Sequence, residues 1–459
     1  MKTKLFFLLL AITTGTIIAA DIHVPTDYST IQEAIIVANP GDVIIVENGL
    51  YIENIDFLGK AITITSNFIF SGDVNDIINT IIDGSQPTNP DIGSCVSFKN
   101  GEGNDSVLQG FTIMGGSGTK TYNPADDAYF RTGGGILINQ TSPTIKNNII
   151  KNNHCIAEAG VAGAGGGGIR MGFGQPIITN NIITGNSGGY AGGIMIAYCG
   201  GATISNNLIS YNLATGSFNG GGGIYVDWEP VTLENNTIVN NHSGDKGGAL
   251  ITTGTTTIIT NCIIYGNTAT NSFPQIYKRF SGNANLTYTN IEGGFDGAGN
   301  EEGMIDENPL FEDMGSFLLS TSSPCVDAGN PDPLYNDIED PLLPGNALFP
   351  SRGTTRNDMG VYGGMGTVEI LAAPKENDLN GITFRYTNPY NNEGIQLISN
   401  RDTKLYVTIY GYDGKQILPE KEYPILIGKN NIPITIKTHC LLVISEGFKK
   451  SKTIKLFKK

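Results

Sequence analysis

The chain has 459 residues, with 43 acidic against 28 basic side chains and a formal net charge of −15. So acidic a balance lacks the basic footprint of a nucleic-acid binder and argues against that class. Its four histidines (His23, His154, His242, His439) show no ligand-like spacing, which argues against a zinc centre, and the length allows two or three folded units.

Lys2 and Lys4 precede the apolar run Leu5 to Ile12, and Ala19-Ala20 follow. That order predicts a secretory signal peptide over residues 1–20, so the protein is expected outside the cell or on its outer surface. The run is too short for a membrane span and is broken by Thr13, Thr14 and Gly15; no span is expected once it is removed. Next, Ser29 is the expected N-cap of a helix that places Ile31, Ala34, Ile35 and Ala38 on one face. Such a helix would plug the open end of a stacked coil. Short apolar strands are then predicted at 43–46, 61–65, 77–82, 95–98 and 107–113.

From residue 133 the chain repeats itself. Pro143–Asn153, Pro176–Asn186, Ala202–Asn212, Val231–Asn241 and Thr257–Asn267 superimpose without gaps, each carrying an Asn-Asn or Asn-Cys pair and a closing Asn. Between them recurs a glycine-rich strand whose aligned apolar residues are Ile136, Ile169, Ile194, Ile224 and Leu250, spaced 33, 25, 30 and 26 residues apart. Each run alternates with period 2 and is too short to bury its face alone. Stacking successive turns pairs every strand with the next and hides one apolar column. The pattern predicts an all-β parallel β-helix, a triangular solenoid, with Asn147, Asn180, Asn206, Asn235, Asn261 and Asn290 forming a ladder at one bend and Asn153 to Asn267 at another. Asn suits both tasks, since it tolerates the left-handed conformation and its amide can bond the next Asn in the column. The six cysteines (95, 155, 199, 262, 325, 440) sit singly at unrelated repeat positions, which predicts mostly buried small apolar residues and assigns no disulfide.

Alternation along the glycine-rich strand turns Leu137, Arg170, Met195, Tyr225 and Ile251 outward, with Asn139, Gly172, Ala197, Asp227 and Thr253 two positions on. The longest insertion, Gly118 to Thr132, carries Lys120, Tyr122, Asp126, Asp127, Tyr129 and Arg131 and flanks this sheet. Together they outline a groove for an extended sugar chain. Candidate catalytic residues are Arg170, Tyr225, Asp227 and Glu229; candidate substrate-binding residues are Asn139, Trp228, Tyr129 and Arg131. β-Elimination of a uronate would use Arg170 or Tyr225 as base, with Asn139 or calcium on Asp227 steadying the enolate. Hydrolysis would use a carboxylate pair such as Asp227 and Glu229. The simpler alternative makes Arg170 and Asp227 a surface ion pair and Trp228 loop packing. Non-catalytic adhesion would suit the apolar outward column Leu137, Met195 and Ile251.

Val24-Pro-Thr-Asp-Tyr-Ser-Thr-Ile-Gln-Glu-Ala-Ile, followed by Gly41-Asp-Val-Ile-Ile-Val and Gly49-Leu-Tyr-Ile-Glu-Asn, resembles the opening of pectin-lyase-like right-handed β-helix proteins. The resemblance covers about residues 21 to 365 and implies that fold, placed here at residues 21–368 with a closing cap. The full catalytic sets of the pectin methylesterases and polygalacturonases are missing, so it implies neither activity. Ser323–Asp332 and Arg356–Gly363 resemble a closing segment of bacterial surface β-helices. There Asp327, Asp332, Asp337, Asp340 and Asp358 are candidate calcium ligands, or else serve turns and pair with Arg352 or Arg356.

From about Lys375 the strands lengthen and the asparagine pattern stops, predicting a small β-sandwich over 375–459 with a hairpin turn at Tyr412-Asp-Gly-Lys. Thr387-Asn-Pro-Tyr-Asn, Val407 to Lys415, Gly428-Lys-Asn-Asn-Ile and the lysine-rich end resemble the sorting domain of type IX secretion. That implies secretion machinery as a partner; a carbohydrate-binding or spacer sandwich is the alternative. The expected whole is a monomeric, secreted or surface-displayed protein that engages extracellular polysaccharide, with a polysaccharide lyase or glycoside hydrolase as the enzymatic alternative.

Overall fold

The computed structural model describes residues 19–124, 126–216, 220–295, 302–341, 343–366 and, further on, 382–385, 395–399, 403–410, 415–426, 428–434, 440–445 and 451–456. Residues 1–18 of the expected signal peptide, Thr387–Asn391 and the expected Tyr412-Asp-Gly turn lie outside them.

Residues 21–291 wind into a parallel β-helix with three long faces. Ten strands from Asp21–Val24 to Asn283–Thr287 form one, nine from Gly49–Ile52 to Asn290–Ile291 the second, and eight from Ile55–Asp56 to Ile276–Arg279 the third. Pairing is parallel and in register, as in Ile136↔Ile169↔Ile194↔Ile224↔Leu250↔Ile276. The side chains turned inward (Ile138, Ile145, Ile150, Ile169, Ile178, Ile183 and their equivalents) are fully buried. Each contributes roughly 1.5–3 kcal/mol of transfer free energy, so the interior column is the main source of stability.

The helix at the open end runs Ile31–Val37 and buries Ile31, Ala34 and Ile35. Its N-cap is Thr30 rather than Ser29, in a reciprocal capping box with Glu33. The ends are tied to the first turns with charges that match the helix dipole. Glu53 accepts the amides of Ile31 and Gln32 at 3.0 Å each, and Lys60 donates to the carbonyls of Ile35, Ile36 and Ala38 at 2.6–2.7 Å. Where one strand was expected over 77–82, a short helix Val74–Asn79 comes first and the strand is Thr80–Asp83. Asp73 caps that helix by accepting the Asn75 amide.

At the bend between the first two faces, the two tasks given to one asparagine are divided between neighbours. Asn147, Asn180, Asn206, Asn235 and Asn261 adopt the left-handed backbone, with φ between 49° and 56°. The ladder itself is built by the next residue. Asn148 donates its Nδ2 to Oδ1 of Asn181, Asn181 to Asn207, and Asn207 to Asn236, at 3.1–3.2 Å. Each also donates to carbonyls across the turn, so every buried amide is spent. The column ends with Cys262, whose sulfur accepts the Asn236 amide, and Thr289, whose hydroxyl accepts that of Cys262. Asn290 is two positions out of this register: Tyr288 takes the left-handed place, and Asn290 starts the strand that pairs with Ile263. Its buried side chain instead grips the amide and carbonyl of Glu307. The second ladder is the expected one, Asn153, Asn186, Asn212, Asn241 and Asn267, linked at 3.0 Å and ending on Gln275.

The closing segment lies on the left-handed asparagines. Asn206 donates to the carbonyls of Val361 and Gly363, Asn235 to those of Asp358 and Gly360 and to the side chain of Asn357, and Asn261 accepts the amide of Asn330. Five cysteines (95, 155, 199, 262, 325) are buried and free, as small apolar residues would be. Beyond the coil come two antiparallel sheets. One joins Ile382–Arg385, Ile395–Ser399 and Gly428–Ile432; the other has the order Gln416–Ile425, Thr403–Tyr410, Cys440–Ser445, Ser451–Leu456.

Candidate functional site

The third face carries the outward columns expected from alternation. In the first, register aligns Leu137, Arg170, Met195, Tyr225, Ile251 and Tyr277. This column is not an open apolar surface. Leu137, Tyr225 and Ile251 are 3%, 5% and 1% exposed, and Tyr225 and Ile251 pack with Ala191, Met195 and Tyr277 into a small cluster. The molecule covers Leu137 and Ile251 of this stripe and leaves Met195 half-buried. The Tyr225 hydroxyl accepts from Arg279 Nη1 at 3.0 Å and from the Thr253 hydroxyl at 3.2 Å. Burial pushes its pKa up, the reverse of what a phenolate base requires.

The second column reads Asn139, Gly172, Ala197, Asp227, Thr253 and Arg279. Gly172 and Ala197 leave a low floor, and Arg170 folds across it: its Nη1 and Nη2 lie 2.6 and 3.0 Å from the place a Gly172 Cβ would take. The Arg170 Nε is buried without a hydrogen-bond partner. Two turns along, half-buried Asp227 feels the charges of Arg170 and Arg279, yet burial outweighs both and raises its pKa to about 6. Arg170 and Asp227 are not joined in an ion pair. Asn139 lies three strands from Asp227 in the same column, in register with Gly172, and no hydrogen bond joins it to Arg170 or Asp227 among the described residues. Glu229 is exposed, with Oε2 3.0 Å from the place a Gly200 Cβ would take; no hydrogen bond or ion pair joins it to Asp227 among the described residues.

The residue after each of these positions turns the corner in the left-handed conformation, and four such residues are aromatic. Phe173, Tyr198, Trp228 and Phe280 have φ of 56°, 55°, 66° and 45°. Their backbones stand one above another, with Phe173, Tyr198 and Trp228 each donating to a carbonyl of the next turn and Gly254, between Trp228 and Phe280, donating to that of Arg279. All four are exposed, Trp228 by 48% and Phe280 by 64%. The rings of Phe173 and Tyr198 stack at 4.9 Å with 3° between planes, Arg279 sits 4.4 Å from the Phe280 ring centre, and the Trp228 ring lies where a side chain on Gly254 would be. That last contact requires glycine at 254. Of these, sequence reasoning found only Trp228. The signal was present: each aromatic stands four residues after Ile169, Ile194, Ile224 or Ile276.

The insertion at 118–132 is a hairpin, Gly118–Asn123 paired with Ala128–Thr132, in a four-stranded sheet with Ile92–Gly93 and Gly163–Gly165. Tyr122 and Tyr129 pack at 5.2 Å, and Lys120 lies 4.9 Å from the Tyr129 ring centre. Its tip approaches the aromatic corner: after burial, the charges of Asp227 and Asp126 both raise the Tyr198 hydroxyl. Arg131, expected on the substrate, is 4% exposed and pins the hairpin base, donating to the carbonyls of Pro90 and Gly118 and pairing with Glu158.

The closing-segment aspartates are occupied by backbone donors. Asp358 accepts the amides of Asp327 and Arg352, Asp337 that of Gly364, Asp327 the amide and hydroxyl of Thr354, and Asp332 the amide of Leu334. Arg352 pairs with Glu312, and Arg356 donates to Gly329, rather than to an aspartate. Among the described residues no group of three acidic, His or Cys side chains is arranged to hold a metal ion.

The family described as the right handed beta helix region matches residues 133–291, the turns that carry both ladders and the aromatic corner. The coil is therefore a right-handed parallel β-helix. No curated protein matches the sequence.

Proposed function

We propose that this is an exported β-helix protein that engages extracellular polysaccharide along its third face. The supporting observation is the row of four exposed aromatic residues held in a backbone conformation that costs roughly 1–2 kcal/mol per bulky residue. Such strain adds nothing to the coil's stability, and exposed rings beside polar groups suit the mixed apolar and hydroxyl surface of sugars. The signal sequence and the sorting-like C-terminal unit are read as the export route, with surface retention or release as its end. The pectin-lyase-like opening agrees with a glycan partner.

The test is a glycan array probed with the full chain. Polysaccharide binding by the wild type, lost in Trp228→Ala and Tyr198→Ala, is expected; equal binding by the variants removes the aromatic corner from the site. A second reading, lyase or hydrolase action on uronate glycans, draws on Asp227, whose pKa near 6 suits a general acid. Release of unsaturated or shortened products from uronate polymers would establish it.

A further inference from the structure

Resting on that reading of the third face, we infer that Arg170 and Asp227 together grip a pair of neighbouring hydroxyls on a neutral sugar ring laid across the Arg170 fork beside Phe173 and Tyr198. The argument begins with what each group lacks. Arg170 has a buried Nε without a partner, and the fork of its guanidinium lies along the floor. No hydrogen bond or ion pair occupies the Asp227 carboxylate among the described residues, although it is half-buried. A buried polar group left unmet costs free energy comparable to a lost hydrogen bond, and a charged one more. Two such groups of opposite sign on one column call for something placed between them.

Charge decides what fits. An anionic substituent drawn to Arg170 would face Asp227, and a cation drawn to Asp227 would face Arg170 and Arg279. A hydroxyl pair satisfies both, because each hydroxyl can donate to the carboxylate and accept from the guanidinium. The surface between them is shallow: Arg170 itself covers Gly172, Ala197 beside it is 4% exposed, and Asp227 stands half-buried at the next turn. The stacked rings of Phe173 and Tyr198 follow in the next positions, an apolar wall for the carbon face of the same ring.

The test uses the full chain, with xylan, mannan and β-glucan oligosaccharides as neutral probes and oligogalacturonate as the anionic one, by titration calorimetry. A neutral probe should bind, and Arg170→Met and Asp227→Asn should each weaken it at least about tenfold, the worth of one hydrogen bond to a charged group. The double variant should lose little more than either single one, because the pair acts as a unit. Arg170→Lys, which keeps the charge and the fold but not the planar fork, should also weaken binding. If oligogalacturonate binds best and Asp227→Asn strengthens it, the site reads anions and the inference is overturned. If a neutral glycan binds with Arg170 and Asp227 variants unchanged while Trp228→Ala loses it, polysaccharide engagement survives and this subsite does not. Absence of binding by the wild type to every glycan overturns both.

Discussion

Two corners of the coil hold the backbone in the same left-handed conformation and fill it differently. At the first, asparagines 147, 180, 206, 235 and 261 take the positive φ, and three of them receive the closing segment on their amides. At the other, Phe173, Tyr198, Trp228 and Phe280 take it and stand exposed. Asparagine enters that region cheaply because its short amide bonds locally, whereas a bulky ring meets its own backbone. The first corner is thus what a coil needs in order to turn and to be closed. The second departs from that need at a cost, and the inference from such an outlier runs toward function.

The comparison can be broken by substitution. The largest effect is expected beside the first corner, within the buried ladder. Asn207→Leu strands the Asn181 amide and the carbonyls of Ile178 and Ser205, and should cost about 3 kcal/mol or more in chemical denaturation. Asn235→Gly keeps the backbone conformation but releases the closing segment; about 1–3 kcal/mol should be lost, with faster amide exchange over residues 357–363. Trp228→Gly should behave in the opposite way. Relief of left-handed strain offsets the lost ring contact with Gly254, leaving stability within about 1 kcal/mol of wild type while polysaccharide affinity falls. A large loss of stability there would make Trp228 a packing residue and remove the contrast between the corners.

Two pH effects sharpen the same comparison. Asp227, faced by Arg170, Arg279, Tyr198 and Tyr225, must be ionised to accept from sugar hydroxyls. Affinity should therefore fall as pH drops through about 6, and Asp227→Asn should abolish that dependence. The smallest effect belongs to the closing segment. Burial raises both Asp337 and Asp358, with added repulsion on Asp337 from Asp358 and on Asp358 from Asp327, so the folded state retains protons that the unfolded chain releases near pH 4. Stability should decline as pH rises from that value through the folded range, and Asp337→Asn should flatten the melting-temperature profile.

The sequence alone determined the coil. Period-2 alternation, a repeat of 25 to 33 residues and asparagines at fixed offsets admit no other way to hide the apolar column, and the register of both outward columns follows from that alternation. Which asparagine bonds and which one bends was decided only in three dimensions, because adjacent residues at a sharp turn point to opposite sides of the backbone. Asn290 shows the same limit: one turn of different length moved it out of the column its neighbours suggested. The covering of Leu137, Tyr225 and Ile251, the spending of Arg131 at the hairpin base and the lie of Arg170 across Gly172 were decided only in three dimensions, the first two by where loops fold back. Loop paths are set by contacts between residues distant in the chain, which no local period records.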